Sequence, residues 1–209
     1  MMKLVFDIGA NIGNTVSEFL RKSDKVVCFE PNPKLASLLR GTFEGTSVVV
    51  DERGVSNKNG IQTFKISNAD TISTLSEDWI TNSRFTGSYN WNNHVQVETV
   101  TLDSIVEEYG EPNYIKIDVE GHEFEVLTSF TKLLPNTLLS FEWAEEQKSK
   151  IESTIHYLNK LGYNMFGYTE FDKILFDEEI DWKEYKNFDF IESLTPERKE
   201  RWGMVYVKK

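Results

Sequence analysis

The sequence is poor in cysteine and lacks any long apolar run, and each absence excludes a class of protein. Cys28 is the only cysteine in the 209 residues, so no disulfide can form within the chain. Because it lies in the apolar stretch KVVCFE, we expect a buried thiol. No apolar run reaches the roughly 20 residues of a bilayer-spanning helix. The N-terminus also lacks the pattern of a signal peptide, so we expect a cytoplasmic protein without a membrane span.

Positive charge is the next shortage. The chain has 23 Lys and Arg residues against 34 Asp and Glu, which gives a formal net charge of −11. Polyphosphate repels such a protein, so we expect no nucleic-acid partner. Apolar residues make up 39% and charged residues 27%, as in ordinary soluble globular proteins. The length predicts a single domain over residues 1–209.

The first part of the chain alternates short apolar runs with amphipathic stretches. Leu4–Asp7, Lys25–Glu30 and Val48–Val50 are predicted strands, and helices are predicted between them. The second helix has a good start, with Asn32 as the N-cap and Pro33 at the first helical position. This alternation predicts an α/β fold, with a doubly wound, mostly parallel sheet that carries helices on both faces.

The middle of the chain has a different pattern. Ile61–Ile66 and Val95–Val100 show partial period-two alternation, which predicts half-exposed strands that pair antiparallel. The stretch 67–93 between them is a long polar and aromatic excursion, predicted to bind substrate or to act as a lid. A second insert is predicted at 169–201, with a short helix starting at Thr195.

The remaining sheet strands are predicted from apolar runs in the second half. They are Tyr114–Asp118, Leu138–Glu142 and Gly203–Val207, with a helix over Lys148–Leu161. Because the first strand starts so near Met1, we expect the two inserts or a second subunit, in a homodimer, to cover any site on the sheet.

The stretch VFDIGANIGNT carries the first chemical signal. Dinucleotide-binding proteins use G-x-G-x-x-G to seat a pyrophosphate on a helix N-terminus, but here Asp7 precedes two glycines spaced as Gly9 and Gly13. A carboxylate repels pyrophosphate and attracts an ammonium group, so the turn favours a ligand with an amino group. Glu30 ends the second strand, where a carboxylate can accept hydrogen bonds from ribose hydroxyls.

Five motifs in order, VFDIGANIGNT, CFEPNP, GVSNKNG, VTLDSI and IKIDVEGHEFEVL, resemble those of the FkbM family of S-adenosylmethionine-dependent methyltransferases. The resemblance covers about residues 4–143. It implies a class I methyltransferase fold, which is Rossmann-like, with a seven-stranded sheet whose last strand is antiparallel. The implied cofactor is S-adenosyl-L-methionine.

The resemblance also implies a set of cofactor-binding residues. One group lies at the first two strand ends, and Arg53, Gly54 and Val55 would lie near adenine, although the family often has Ala at position 54. The full set is Asp7, Gly9, Ala10, Asn11, Gly13, Glu30, Pro31, Arg53, Gly54, Val55 and Asp118.

The stretch IKIDVEGHE carries the second chemical signal, and its candidate catalytic residues are Asp118, Glu120 and His122. His122 is the first candidate for the base that takes a proton from a hydroxyl acceptor, because its ordinary pKa lies near neutrality. Glu120 could orient it, act as the base, or bind a metal. An oxygen-rich divalent site of Glu120, Glu123 and Glu142 is an open alternative, but we expect no metal.

The acceptor side is less well defined. Ser73 and Thr74 resemble a family segment near the cofactor and acceptor, and Glu142 stands at the next strand end. Trp79 and Trp91 could stack on sugar faces, or could pin the excursion to the core. These five residues are the predicted substrate contacts.

The expected function is O-methylation of a hydroxyl on a sugar, glycan or small metabolite. N-methylation of a small amine is an alternative. A further alternative, from a different enzyme class, is an NAD-dependent oxidoreductase, which would bind NAD and not S-adenosylmethionine. A non-catalytic nucleoside-binding module would bind the cofactor and transfer nothing.

Overall fold

The computed structural model describes residues 2–171 and 173–209. The described residues form eleven strands, which in chain order are β1 Met2–Ile8, β2 Ser23–Phe29, β3 Val48–Asp51, β4 Gly54–Val55, β5 Gly60–Ile66, β6 Asn93–Val100, β7 Tyr114–Ile117, β8 Leu138–Ala144, β9 Met165–Glu170, β10 Lys183–Glu184 and β11 Trp202–Lys208. They also form six α-helices, which are α1 Val16–Lys22, α2 Pro33–Thr42, α3 Glu77–Asn82, α4 Leu102–Tyr109, α5 Glu123–Thr128 and α6 Lys148–Leu161.

The larger sheet confirms the predicted topology. Its strand order is β10-β9-β11-β8-β7-β1-β2-β3. β1 pairs in parallel with β2 and β7, whereas β11 runs antiparallel between β8 and β9. Seven of these strands form the expected sheet, and the two-residue β10 adds a short eighth strand at one edge.

The central strands form because their residues are apolar on both faces. Val5, Phe6, Val26 and Val27 are fully buried, as expected for parallel strands covered by helices. Cys28 is also fully buried, which confirms the prediction for the thiol. The chain order reverses between β7 and β1, and in doubly wound sheets a crevice for ligands lies above the strand ends at such a switch point.

A second, three-stranded sheet has the order β4-β6-β5. β5 and β6 pair antiparallel with Ile61 opposite Glu98, so the predicted pairing is confirmed. β4 joins β6 in parallel through Gly54 and Val55. This small sheet brings the segment after β3 to the carboxyl edge of the large sheet.

Helix boundaries follow local signals in most places. The Asn32 side chain accepts from the Lys34 N–H at the start of α2, and α6 has the predicted limits. The helix predicted from Thr195 is wrong. The backbone forms one turn, in which Arg198 N–H donates to the Thr195 carbonyl at 3.0 Å, and the Glu145 carboxylate accepts the Thr195 N–H at 2.7 Å.

The two inserts have different relations to the sheet. Residues 67–93 include a 3-10 turn at Asp70–Ile72 and the helix α3. Part of 169–201 packs on β8 and β9, where the Phe190 ring lies 4.8 Å from that of Trp143 and 4.3 Å from that of Tyr168. Residue 172 of this insert lies outside the described residues. None of the described helices has the length and apolar character needed to cross a bilayer.

Candidate active site

A cavity of about 420 Å³ lies at the carboxyl ends of β1, β2 and β7. Its size is within the range of small-molecule sites, and its position is the switch point of the sheet. The turn after β1, the β2 end, the small sheet, the excursion and the β7–α5 turn all contribute to its wall.

The turn after β1 needs glycine because the backbone that follows the neighbouring strand β7 is so close. Gly9 has φ +81°, and a Cβ there would lie 1.8 Å from the Asp118 carbonyl oxygen. The N–H groups of Gly9 and Ala10 both donate to the Phe29 carbonyl, at 3.0 and 3.3 Å. Asn11 continues the turn at φ 49°. The turn is therefore closed by backbone hydrogen bonds to the end of β2.

Glu30 is held at the cavity wall by backbone groups. Its Oε2 accepts from Asn11 N–H at 2.8 Å and its Oε1 from Asn32 N–H at 2.9 Å. Burial raises the pKa of this carboxyl to about 7, although the two backbone N–H groups act in the opposite direction. Each oxygen keeps a lone pair for a further donor. The carboxyl is thus oriented and still able to bind hydroxyls.

Asp7 differs from the expectation, because it lies behind the cavity wall. Its side chain is fully buried, and Oδ2 accepts from the Thr15 hydroxyl at 2.5 Å. The ammonium of Lys116 lies 3.6 Å from Asp7 Oδ1 and 3.1 Å from Asp118 Oδ2. A cation therefore separates the two carboxylates, and Asp118 and Lys116 line the cavity while Asp7 supports them.

The β7–α5 turn is shaped by contacts with the excursion. Glu120 and Gly121 have φ angles of 56° and 83°. A Cβ on Gly121 would lie 2.8 Å from Trp79 Cε3, so only glycine fits under the indole. The Thr74 hydroxyl donates to the Glu120 carbonyl at 2.7 Å. These contacts hold Asp118, Glu120 and His122 on the cavity wall.

His122 is nearly buried and has both ring nitrogens near polar side chains. Nε2 lies 2.9 Å from the Ser56 hydroxyl oxygen, and Nδ1 lies 3.8 Å from Glu125 Oε2. Burial is the main cause that lowers the pKa of this imidazole. Burial thus favours the neutral form of the imidazole, whereas Glu125 acts in the opposite direction.

Three carboxylates meet behind the turn. One oxygen each of Asp118, Glu123 and Glu142 lies within 4.8 Å of the others, so Asp118 takes the place expected for Glu120 in the acidic group. Burial raises the pKa of Glu123 to about 7. The cations Lys116, next to Asp118, and Arg84, 3.7 Å from Glu142 Oε1, supply positive charge here.

The structure brings most predicted site residues to one cavity and leaves others outside it. The predicted residues that line the cavity are Gly9, Ala10, Asn11, Glu30, Pro31, Gly54, Val55, Ser73, Asp118, Glu120 and His122. The predicted residues outside its wall are Asp7, Gly13, Arg53, Thr74, Trp79, Trp91 and Glu142.

Each residue outside the wall has a structural role instead. Arg53 Nε donates to Asp51 at 2.9 Å, and its guanidinium also bonds Glu108. Gly13 packs toward Phe43 of the loop after α2.

The aromatic residues of the excursion pin it to the rest of the protein. Trp79 packs against the β7–α5 turn with 1% of its surface exposed, and Trp91 Nε1 donates to the Ile72 carbonyl at 2.8 Å. Thr74 is fully buried and Glu142 nearly so. Their side chains fill the interior because the excursion folds back on the sheet.

Sequence reasoning missed several residues of the wall. Lys116, Thr15, Phe64 and Leu75 line the cavity. A lysine inside the apolar strand YIKI was a usable signal, because lysine is rarely buried unless it is paired. Thr15, Phe64 and Leu75 had no such signal.

The strand order and the cavity at the switch point define a class I, Rossmann-like methyltransferase fold. The model of the FkbM methyltransferase domain matches residues 7–165, which is most of the chain. The chain therefore belongs to the FkbM methyltransferase domain family, as its motifs predicted.

Two curated relatives and one solved structure illustrate the similarity. The hexuronic acid methyltransferase AglP of Haloferax volcanii is 30% identical over 63% of this chain and 51% of its own length. The 2-O-methyltransferase NoeI of Sinorhizobium fredii is 28% identical over 69% of this chain and 64% of its own length. The chain thus spans about half to two thirds of these relatives.

A solved structure resembles almost the whole chain, although the sequence identity is low. A precorrin-6y C5,15-methyltransferase from Geobacter metallireducens superposes with a TM-score of 0.50, covering 99% of this chain and 81% of that one at 10% identity. At this identity the likeness shows the fold alone.

Proposed function

We propose that this chain catalyses S-adenosylmethionine-dependent methylation of a hydroxyl on a sugar, free or within a glycan. Family membership supports methyl transfer. The relatives named as a hexuronic acid methyltransferase and a 2-O-methyltransferase support a sugar oxygen as the acceptor. The carboxyl of Glu30, oriented by two backbone N–H groups at the cavity wall, is the observation that carries the cofactor assignment.

The cavity fits the parts of this cofactor. Glu30 would hold the ribose hydroxyls, and the apolar side chains of Val55, Phe64 and Leu75 would enclose the adenine. S-adenosylmethionine would supply a methyl group activated by a positive sulfonium. The carboxylates of Glu18 and Asp118, which also line the cavity, suit a ligand with cationic groups.

The charge balance around Lys116 supports the same ligand. Asp7 and Asp118 carry two negative charges, and Lys116 neutralises one of them. The trio keeps one net negative charge at the edge of the cavity. This residual charge favours a cationic ligand over a neutral or anionic one.

The closed turn after β1 weighs against NAD. A pyrophosphate site needs backbone N–H groups that point at the ligand. Here the N–H groups of Gly9, Ala10 and Asn11 already donate to the Phe29 carbonyl and to Glu30. The turn thus offers little to a phosphate.

Asp118 is the first candidate to accept the proton of the sugar hydroxyl. Its side chain is 19% exposed at the cavity, and Lys116 holds it in place. Glu120 also lines the cavity and is the second carboxylate within reach of an acceptor there.

Binding of the cofactor tests the first half of the proposal. Titration calorimetry of the chain with S-adenosylmethionine should show binding that Glu30→Ala weakens by 1.5–3 kcal/mol, or about 10- to 150-fold in Kd. Glu52→Ala, which removes an exposed carboxylate paired with Arg40, is the control and should bind normally. Tight binding of NAD without S-adenosylmethionine would overturn the proposal.

Transfer to an acceptor tests the second half. Purified chain and methyl-labelled cofactor should label neutral sugars or uronic acids. Asp118→Asn should lower kcat even at saturating cofactor, because the loss of its charge also weakens binding of the cationic ligand. Labelling of amines alone would support the N-methyltransferase alternative. Cofactor binding with no transfer to any acceptor of a broad panel would support a binding module.

A further inference from the structure

A chain of polar side chains runs from the small sheet to His122. The amide nitrogen of Gln62 donates to Thr99 Oγ1 at 3.1 Å and to Ser56 Oγ at 2.9 Å. The Ser56 hydroxyl in turn lies 2.9 Å from His122 Nε2. Because each group in such a chain has a limited number of donors and acceptors, its far end fixes the direction of every bond.

Thr99 anchors the far end of the chain. Its hydroxyl donates to the backbone carbonyls of Lys58 and Gly60, at 3.0 and 3.3 Å. A carbonyl can only accept, so the one hydroxyl proton of Thr99 is committed to it. The oxygen of Thr99 must then accept from Gln62, which sets the side-chain amide with its NH2 toward both Thr99 and Ser56.

Ser56 transmits this direction to the imidazole. Its oxygen accepts from Gln62, and its side chain is fully buried. Among residues 2–171 and 173–209, the structure gives the Ser56 proton no acceptor other than His122 Nε2. A buried donor is costly when unpaired, so Ser56 donates and Nε2 accepts. The ring proton of neutral His122 is then on Nδ1.

The charges around the ring are compatible with a neutral imidazole. Glu125 Oε2 faces Nδ1 at 3.8 Å and favours a proton there. Lys150 Nζ donates to the Gly121 carbonyl at 3.3 Å and opposes a second positive charge. The other carboxylates of this region are those of Asp118, Glu120 and Glu123. An imidazolium would force Ser56 to accept two bonds and leave its own buried proton unpaired.

We propose that Ser56 and Gln62 are positioning residues that hold His122 as the neutral tautomer with its proton on Nδ1. The Ser56 hydroxyl, which accepts from Gln62, donates to Nε2 and so occupies the only lone pair in the plane of the imidazole ring. Both nitrogens face side chains, Ser56 and Glu125, that do not line the cavity. If the proposed methyl transfer is correct, His122 is not the base, and the acceptor's proton goes to a carboxylate such as Asp118.

Nitrogen NMR of the chain labelled with 15N-histidine tests the tautomer directly. The chain has three histidines, and His122→Gln identifies the His122 signals. At neutral pH we expect Nδ1 to show a directly bonded proton and Nε2 to show the shift of an unprotonated nitrogen. A proton on Nε2, or an imidazolium, in the wild-type chain would overturn the proposal.

Two variants test the positioning role. Ser56→Ala removes the hydrogen-bond donor to Nε2, and Gln62→Leu allows the Ser56 oxygen to accept from Nε2–H. In each variant the ratio of the Nδ1–H tautomer to the Nε2–H tautomer should fall by about tenfold. Thr63→Ala removes a hydroxyl from the same small sheet, where it accepts from Gln96, and should leave the ratio unchanged. An unchanged ratio in both test variants would overturn the assignment.

This measurement needs neither cofactor nor acceptor. A failure of the proposed methyl transfer with the Nδ1–H tautomer present would contradict the function and leave the positioning role intact. The opposite result, transfer with a different tautomer, would contradict only the positioning role.

Discussion

The two sides of the cavity are held in place by different kinds of contact. On the side of β1 and β2, backbone groups do the work: Glu30 is oriented by two N–H groups, and the turn at Gly9 is closed by the Phe29 carbonyl. On the side of β7 and α5, side chains from distant segments do it. Trp79 covers Gly121, and Ser56 bonds His122.

This difference separates what a local motif encodes from what the fold adds. A backbone-held turn needs only glycine and a few polar residues at fixed spacing, so its motif is recognisable. A turn held by remote side chains depends on which segments arrive there. Substitutions on the side of β1 and β2 should therefore mainly weaken ligand binding. Substitutions on the side of β7 and α5 should mainly lower the stability of the fold.

The largest expected effect is that of Trp79→Ala. The indole is 1% exposed and packs on Gly121, so its loss should lower the free energy of unfolding by about 3–5 kcal/mol. Denaturant unfolding followed by circular dichroism measures this change. Trp91→Ala, which removes a half-buried indole and its hydrogen bond to the Ile72 carbonyl, should cost less, about 1–2 kcal/mol.

A small effect of Trp79→Ala on stability would contradict the distinction between the two sides of the cavity. If Trp79→Ala left stability unchanged and abolished turnover, the indole would be a sugar platform after all, and the second side would be built for the ligand like the first.

The next effect is that of Lys116→Met, which removes the cation shared by the two sides. Asp7 would remain fully buried beside Asp118 without it, so unfolding should become easier by about 3 kcal/mol. Adding Asp7→Asn should restore part of the loss, because it removes the charge left behind. A double variant as unstable as the sum of two single variants would show that the ion pair does not couple β1 to β7.

A third effect is the pH dependence contributed by Glu30. Its pKa is about 7 in the folded chain against 4.5 ordinarily, so its contribution to stability is full below pH 4.5 and is lost as the pH rises through 7. Between pH 5 and pH 8, Glu30→Gln should lose less stability than wild type, by at most about 3 kcal/mol. Urea unfolding at both pH values measures the difference.

Glu123 has a raised pKa as well, so the wild-type curve contains both groups and only the comparison with Glu30→Gln isolates one. Identical curves for the two proteins would mean that the Glu30 carboxyl is solvated, and the first side would then lack its preset ribose contact.

The smallest effect is expected for Arg53→Ala. Its guanidinium bonds Asp51 and Glu108 and does not line the cavity. Stability should fall by about 1 kcal/mol, because this pair is partly exposed, and calorimetry should show unchanged affinity for S-adenosylmethionine. A weakened affinity would return Arg53 to the adenine pocket.

Several of the residues that were predictable from the sequence take their geometry from nearby backbone. Gly9, Asn11 and Glu30 reach the cavity as expected. The predicted antiparallel last strand is also present, as β11. Asp7 was expected to contact the ligand but lies behind the cavity wall. The sequence does not show that the Lys116 ammonium lies between Asp7 and Asp118. The helix expected at Thr195 did not form, and the backbone there makes only the single turn closed by Arg198 N–H and the Thr195 carbonyl.

The order of apolar runs, the glycine turn after β1 and the acids at the strand ends were enough to determine the doubly wound sheet and the edge on which the cavity lies. These depend on periodicity and on backbone chemistry, which neighbouring residues control. Only the tertiary structure shows that Trp79 is buried, that the Lys116 ammonium lies between Asp7 and Asp118, and that Ser56 is hydrogen-bonded to His122. Those contacts join residues far apart in the chain, and their free energy exists only once the sheet has brought them together.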